Sequence, residues 1–234
     1  MVTVKMKTTA PLLLGMLILA LRAKSVLAGE IDPPRSTLSV APGEFSVRSI
    51  DEQKISPELK QKLRDQARLI KQHKVIPVSD HQVPDFADIE AAHTIQKKGA
   101  SMSAAELPIT FTPANIDGTS LRGGALSGGI THGILVKDSW TGLSRIFSHP
   151  HLGRVLFEET DLVTGGGGVS FTKEMINADI NGAPAVILSK QGSEKKAMTR
   201  LTWFANGMLY ELSAPRIEDI SRDELLEIAR QINH

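Results

Sequence analysis

The sequence predicts an α+β fold: a mostly antiparallel β-sheet with a C-terminal helix packed on one face, preceded by a helical N-terminal segment. Three observations predict it. Asn181-Gly182 and Asn206-Gly207 each lie between runs of alternating apolar residues. Asn-Gly suits a two-residue hairpin turn, whose central residues both need positive φ. The chain then ends on Leu225, Ile228, Ala229 and Ile232, the spacing of one apolar helix face. Ahead of the strands, Ser56-Pro57-Glu58 opens a stretch with Leu59, Leu63, Ala67 and Ile70 along one narrow stripe.

The N-terminus has the grammar of an export signal. Lys5 and Lys7 precede the apolar run Ala10–Leu21, and Val26-Leu27-Ala28 supplies small or modest residues before Gly29. The run is too short to cross about 30 Å of hydrocarbon comfortably as a helix. Arg22 and Lys24 between run and cleavage site leave an uncleaved membrane anchor as the competing reading. Either way the remainder is expected to be extracytoplasmic, with membrane contact only if the segment stays attached. Residues 1–28 are the signal, 29–56 a Pro/Ser/Gly-rich linker, 57–99 a helical segment, and 100–234 the α+β domain.

Bulk composition narrows the function classes. Apolar content of 41% and charged content of 23% are ordinary for a globular chain. Removing residues 1–28 takes away four basic residues and no acid, so the formal net charge moves from +1 to −3. A mildly acidic protein has no general attraction for nucleic acid. With no cysteine, a thiol nucleophile, a cysteine-ligated metal and a lipid on a processing-site cysteine are excluded. No cofactor is implied; the expected partner is an unknown protein or small molecule of the cell envelope.

Within the domain, a second helix is expected from Pro84 or Asp85 to Lys98, stopped by Gly99. Short strands are expected at Leu107–Thr112 and Ile134–Lys137, with a better pair at Leu143–Ser148 and Arg154–Glu159. Gly123–Gly133 and Gly165–Gly168 read as mobile loops. The hairpins place Lys173–Ile180 against Ala183–Lys190 and Thr199–Ala205 against Met208–Ser213. In the second, Ala205, Trp203 and Leu201 face Met208, Tyr210 and Leu212 on one core-like face, and Arg200, Thr202 and Glu211 lie on the other. Ser221 and Glu224 are spaced as a capping box, with Ile220 and Leu225 as its hydrophobic staple.

The ending Leu201-Thr202-Trp203, Asn206-Gly207, Met208–Leu212 and Ile220–Ala229 resembles the bacterial domain of unknown function numbered 4367. The likeness extends to about residues 105–234, with its specific part in the last stretch. It implies an extracytoplasmic sensing or binding module, and its motif residues are core and caps rather than catalytic groups.

Candidate chemistry is thin. His149-Pro150-His151 puts two imidazoles on one side of an extended segment; with His132, Glu158 or Glu159 they are the candidate metal ligands. Ser127 and Ser139 lie near His132 and Asp138 in sequence, which leaves a serine or metal-dependent hydrolase as an alternative, although no G-x-S-x-G elbow exists. Val169-Ser170-Phe171-Thr172 after Gly165–Gly168 argues for a loop rather than a phosphate cradle. Trp203 and Tyr210 are the candidate ligand-binding residues of a carrier for an apolar molecule under the last helix. Acidic pairs such as Glu158-Glu159 are expected to be solvated surface. A non-enzymatic binding or sensing protein is the leading expectation.

Overall fold

A computed structural model describes residues 41–89, 107–125, 129–193 and 196–232. The expected export segment and most of the second expected helix lie outside the described residues; only that helix's first turn, from Phe86, falls within them. No helix among the described residues is long and apolar enough to cross a membrane.

The chain runs β1 (Phe45–Arg48), α1 (Pro57–Lys71), β2 (Ile76–Pro77), β3 (Ile130–Val136), β4 (Ser139–His149) and β5 (Gly153–Asp161). It continues through β6 (Val169–Thr172), β7 (Ala178–Ile180), β8 (Ala183–Gln191), β9 (Ala197–Ala205) and β10 (Met208–Pro215) to α2 (Ile220–Gln231). The main sheet follows the order β2-β8-β9-β10-β5-β4-β3, with β7 also on β8. Its ladders are antiparallel except for β2 on β8. β1 and β6 form a separate parallel ladder.

Both Asn-Gly hairpins form as expected. Asn206 and Gly207 have φ of 52° and 80°, Asn181 and Gly182 of 52° and 90°. That geometry pairs Ala205 with Met208, Trp203 with Tyr210 and Leu201 with Leu212. These side chains are filled in by α2: Leu225, Ile228 and Ala229 pack with Phe157, Leu201, Trp203, Tyr210 and Leu212 in one core. Trp203 and Tyr210 stack at 5.2 Å between ring centroids. Each large side chain buried this way contributes roughly 1.5–3 kcal/mol.

The opposite face is covered too, by α1. Ser56 caps that helix, its hydroxyl accepting the Leu59 N–H at 3.2 Å, with Pro57 in the first turn. Ala67 and Ile70 then pack with Val186, Leu188, Leu209, Phe171 and Met175. Beside them Val83 and Phe86 cover Leu156 and Met198. The sheet is therefore sandwiched between helices rather than wet on one side.

Several local expectations change. The linker contains a strand, because Phe45 stacks on Phe204 and edge-on against Phe171. β3 begins at Ile130, inside the stretch expected to be a mobile Gly-rich loop. Leu107–Thr112 makes only an isolated bridge, Ile109 to Trp140. Lys173–Met175 is a 3₁₀ turn, leaving three residues of β7 as strand. Where β7 stops, the Asn177 side chain takes its place: Nδ2 donates to the Ile187 carbonyl and Oδ1 accepts the Ile187 N–H, both at 2.9 Å. That substitution covers an otherwise open edge.

The capping box is not made. The helix N-cap is Asp219, and Ser221 turns its hydroxyl back to accept the Ile217 N–H at 2.7 Å and donate to the Pro215 carbonyl at 2.8 Å. Ile220 is exposed, so the staple with Leu225 is absent as well. The exit from β10 is tight enough that the chain stitches strand to helix before the helix can cap itself.

Glu159 is fully buried and Glu158 half-buried, against the expectation of a solvated pair. As neighbours on β5 they point to opposite faces, and both faces are covered. Glu159, fully buried on the α2 face, pairs with Arg145 at 2.7 Å and accepts the Ala114 N–H at 2.7 Å. Arg145 returns a hydrogen bond to the Ala114 carbonyl at 3.0 Å and lies 5.1 Å from the Phe157 ring centre. This clamp fastens the irregular segment through Ala114 to the sheet.

Candidate functional site

The face covered by α1 carries a polar row through its middle. Thr202, Glu211, Glu158 and Ser144 occupy directly opposed positions on β9, β10, β5 and β4. The period-two rule puts all four on one face, where a covered sheet ordinarily places apolar side chains. Thr202 is fully buried, Ser144 nearly so, and the Glu211 side chain is 15% exposed.

The row is hydrogen-bonded along its length. Thr202 Oγ1 donates to Glu211 Oε1 at 3.1 Å, and Ser144 Oγ donates to Glu158 Oε1 at 3.3 Å. Arg200, two residues along β9 on the same face, reaches Glu211 Oε1 at 3.5 Å with Nη1 and donates from Nε to Ser213 Oγ at 3.1 Å. Lys190 on β8 lies diagonal to Arg200 by register, with Leu188 opposite Arg200 and Lys190 opposite Met198. It is only 5% exposed.

Like charges set directly across a ladder repel, since their Cβ atoms stand about 4.5–5.5 Å apart. Burial, and then Glu211 opposite, push the Glu158 carboxyl up from 4.5 to about 7, against the pull of Arg200 and the Ser144 hydroxyl. Lys190 moves the other way, its pKa lowered by burial and by Arg200, with Glu211 opposing. A carboxyl of raised pKa beside a carboxylate, an arginine and three hydroxyls offers both donors and acceptors in a partly buried site.

The histidines of the sequence analysis do not converge. His132 stands opposite Gly142, whose missing Cβ leaves room for the imidazole ring. His149 is seven residues further along β4, roughly 23 Å away at about 3.3 Å per residue, and its side chain takes the other face. Among the described residues no three His, Asp or Glu groups are arranged to hold a metal ion. His132 instead borders the polar row: its pKa is lowered by burial, and a hydrogen bond with the Leu143 backbone and the charge of Glu211 oppose that. Its Nε2 is buried without a hydrogen-bond partner among the described residues.

His149 has neighbours that mimic a triad, with the nitrogens the wrong way round. Ser120 Oγ is 2.9 Å and Glu224 Oε2 3.7 Å from the same atom, Nε2. Nδ1 accepts the backbone N–H groups of His151 at 3.3 Å and Leu152 at 3.2 Å. Burial, assisted by His151, lowers the His149 pKa against Glu224, so the neutral ring must carry its hydrogen on Nε2. Protonated Nε2 donates to Ser120 Oγ, so it cannot take a proton from that hydroxyl and has no lone pair for a metal. His149 is a cap for the β4–β5 turn, and His151 Nδ1, 2.5 Å from Glu224 Oε1, ties that turn to α2. Of the serines named from sequence, Ser127 lies outside the described residues, and Ser139 opens β4 paired with Val136.

Trp203 and Tyr210 come together as expected, packed with Leu225, Ile228 and Ala229 in the core under α2. Tyr210 is pushed up to about 12, by burial and then by the charge of Glu159. Sequence reasoning placed Arg200, Thr202 and Glu211 on a common face and stopped there. The signal that a site exists was a strand pair polar on one side in a chain with enough apolar helix to cover both. No family model, no curated protein and no solved structure matches this chain.

Proposed function

We propose that this chain is an exported, non-enzymatic binding or sensing protein whose ligand site is the polar row on the α1 face. The observation that carries the proposal is the row itself: two glutamates, a neighbouring arginine and two hydroxyls set across four strands and largely withdrawn from solvent. Replacing a buried ionic cluster with well-packed apolar residues is often neutral or stabilising, so a sheet built for stability alone has little use for one. The tautomer of His149 removes support from a hydrolase, and Trp203 and Tyr210 pack with α2 in the same core as Phe157 and Leu212, which gives an apolar carrier no separate support. The export signal and the resemblance to the domain numbered 4367 favour an envelope location.

The reading is tested by thermal-shift screening of the purified protein against organic acids, amino acids, sugars and cell-wall fragments, beside ester and peptide turnover assays. Support is a saturable shift weakened about tenfold or more by Arg200→Lys, which keeps the charge but loses the planar fork. Turnover that depends on Glu158 or Glu211, or ligand binding indifferent to Arg200→Lys, overturns it. N-terminal sequencing of the cell product tests export separately: a start at Gly29 supports release, and an intact Met1 in a soluble cytoplasmic fraction overturns it.

A further inference from the structure

α1 and α2 cover opposite faces of the sheet, yet their ends meet past the edge of β8. That edge is flanked by β7 at Ala183–Ala185 and by β2 at Lys190–Gln191, which leaves Ile187–Ser189 between them. These residues floor a cleft walled by the C-terminal turn of α1 and the first turn of α2. Its volume is about 20 Å³, room for one water and no ligand. Arg222 Nη1 on α2 stands 2.8 Å from His73 Nδ1 at the end of α1. A guanidinium only donates, so Nδ1 must accept, and the ring is neutral with its hydrogen on Nε2. The backbone holds His73 in place for this contact. At φ 54° it follows the α1 cap; its N–H reaches the Ile70 carbonyl at 3.0 Å, and the Lys74 N–H reaches the Leu69 carbonyl at 2.9 Å. Glycine is the usual occupant of that left-handed position. Among the described residues, Lys137, Asp138, Asn181 and Asn206 take positive φ in hairpin turns; His73 and Glu218 do so outside them, and both line this cleft.

We propose that His73 and Arg222 form a proton-released latch between the two helices. The neutral ring accepts from the guanidinium and ties the end of α1 to α2. Histidine changes charge between pH 5 and 8, whereas arginine stays charged. A protonated Nδ1 faces Arg222 donor to donor and cation to cation, so the two part. Lys74 and Arg216 line the same cleft and add to the repulsion. Glu218 and Asp219 line it as well, Asp219 and Asp223 attract Arg222, and the carbonyls at the end of α1 favour a cation. These attractions favour a charged ring that turns toward an acid or the helix end; none of them restores an acceptor at Nδ1. Release therefore frees the end of α1, the helix that covers the polar row, while Ala67 and Ile70 keep it packed on the sheet. The latch is independent of what the row binds.

Hydrogen exchange of the purified full chain at pH 5 and pH 8, corrected for the intrinsic effect of pH on exchange, is the test. The His73 and Lys74 amides close the α1 end and report its opening. In the wild type their protection, relative to the amides of β9, is expected to be about threefold or more lower at pH 5 than at pH 8. His73→Asn carries Oδ1 where the imidazole carries Nδ1, suits a left-handed backbone and does not titrate. It should hold the protection at both pH values. Arg222→Met, which has no donor, should show the low protection at both. A wild type without the pH step overturns the proposal, as does an Arg222→Met variant that keeps the step. A step that survives in His73→Asn also overturns it and belongs instead to groups under α1 such as Glu158 or His132. Circular dichroism of both variants confirms that each comparison is made on folded protein.

Discussion

Glu158→Gln isolates the strain in the polar row. In the folded protein the Glu158 carboxyl titrates at about 7 against an ordinary 4.5, raised by burial and by Glu211 opposite. The folded state therefore binds an extra proton between those values. Stability from that proton is fully present below about 4.5 and is lost as pH rises through about 7. At about 1.4 kcal/mol per unit, the shift corresponds to an upper limit of about 3 kcal/mol. Glutamine keeps the shape and a neutral acceptor for Ser144 but carries no charge at any pH.

Urea unfolding followed by the fluorescence of Trp140 and Trp203 and by circular dichroism, at pH 5, 6, 7 and 8, reads the difference. Glu158→Gln should match wild type within about 1 kcal/mol at pH 5 and exceed it by roughly 1–3 kcal/mol at pH 8. Comparing the two proteins matters, because His132 and His149 act in the opposite sense. Burial lowers both their pKa values, so the unfolded chain binds their protons first and stability rises with pH through that range. The wild-type profile alone mixes the two slopes, and the difference largely cancels the histidines. Parallel profiles, or a variant less stable than wild type at pH 8, would refute the reasoning that Glu158 is held under a covering layer against Glu211.

Two further outcomes follow from the fold. Glu159→Ala strands Arg145 beside Phe157 and frees the Ala114 N–H, and a loss of roughly 3–5 kcal/mol is expected in urea unfolding. Faster amide exchange near Ala114 should accompany it, whereas a loss under 1 kcal/mol would show that the clamp adds little. Gly207→Ala forces a Cβ at φ 80°, 2.5 Å from Val163 Cγ2. It should cost about 1–2 kcal/mol for the left-handed backbone alone, with a further penalty for overlap that Val163→Ala relieves in a double-mutant cycle; additive effects would exclude the contact.

What the sequence disclosed was what short-range chemistry dictates. Asn206-Gly207 admits few turn geometries, and once the turn is set the period of two places Trp203 over Tyr210 with no further information. Ser56-Pro57 works the same way at the start of α1. The misses all involve partners distant in sequence. Ser221 has the spacing of a cap, but the Pro215 carbonyl and Ile217 N–H compete for its hydroxyl, and that follows from how β10 meets α2. Phe45 looked like linker because its partners, Phe171 and Phe204, lie more than a hundred residues on. The polar row was half legible: Arg200, Thr202 and Glu211 were already assigned to one face. That this face is roofed by α1, and that β5 brings Glu158 against Glu211, depends on a long crossover that no local pattern encodes.

That crossover also explains why the site lies where it does. β5 leaves the sheet through β6 and β7, β8 starts the far edge, and the chain works back through β9 until β10 closes against β5. The ladder that joins the two halves of the sheet, β5 with β10, is the one that sets Glu158 opposite Glu211. The same seam carries the apolar pair Leu212 and Phe157 on its α2 face, where Trp203 and Tyr210 fill the core. One seam therefore carries the buried pair Leu212 and Phe157 on one face and the opposed Glu158 and Glu211 on the other. A side chain on the row can be stressed by pH or ligand while the stacked aromatics behind it hold the register. On the binding reading proposed above, that arrangement sets the candidate ligand groups on one face and the packing that holds their register on the other.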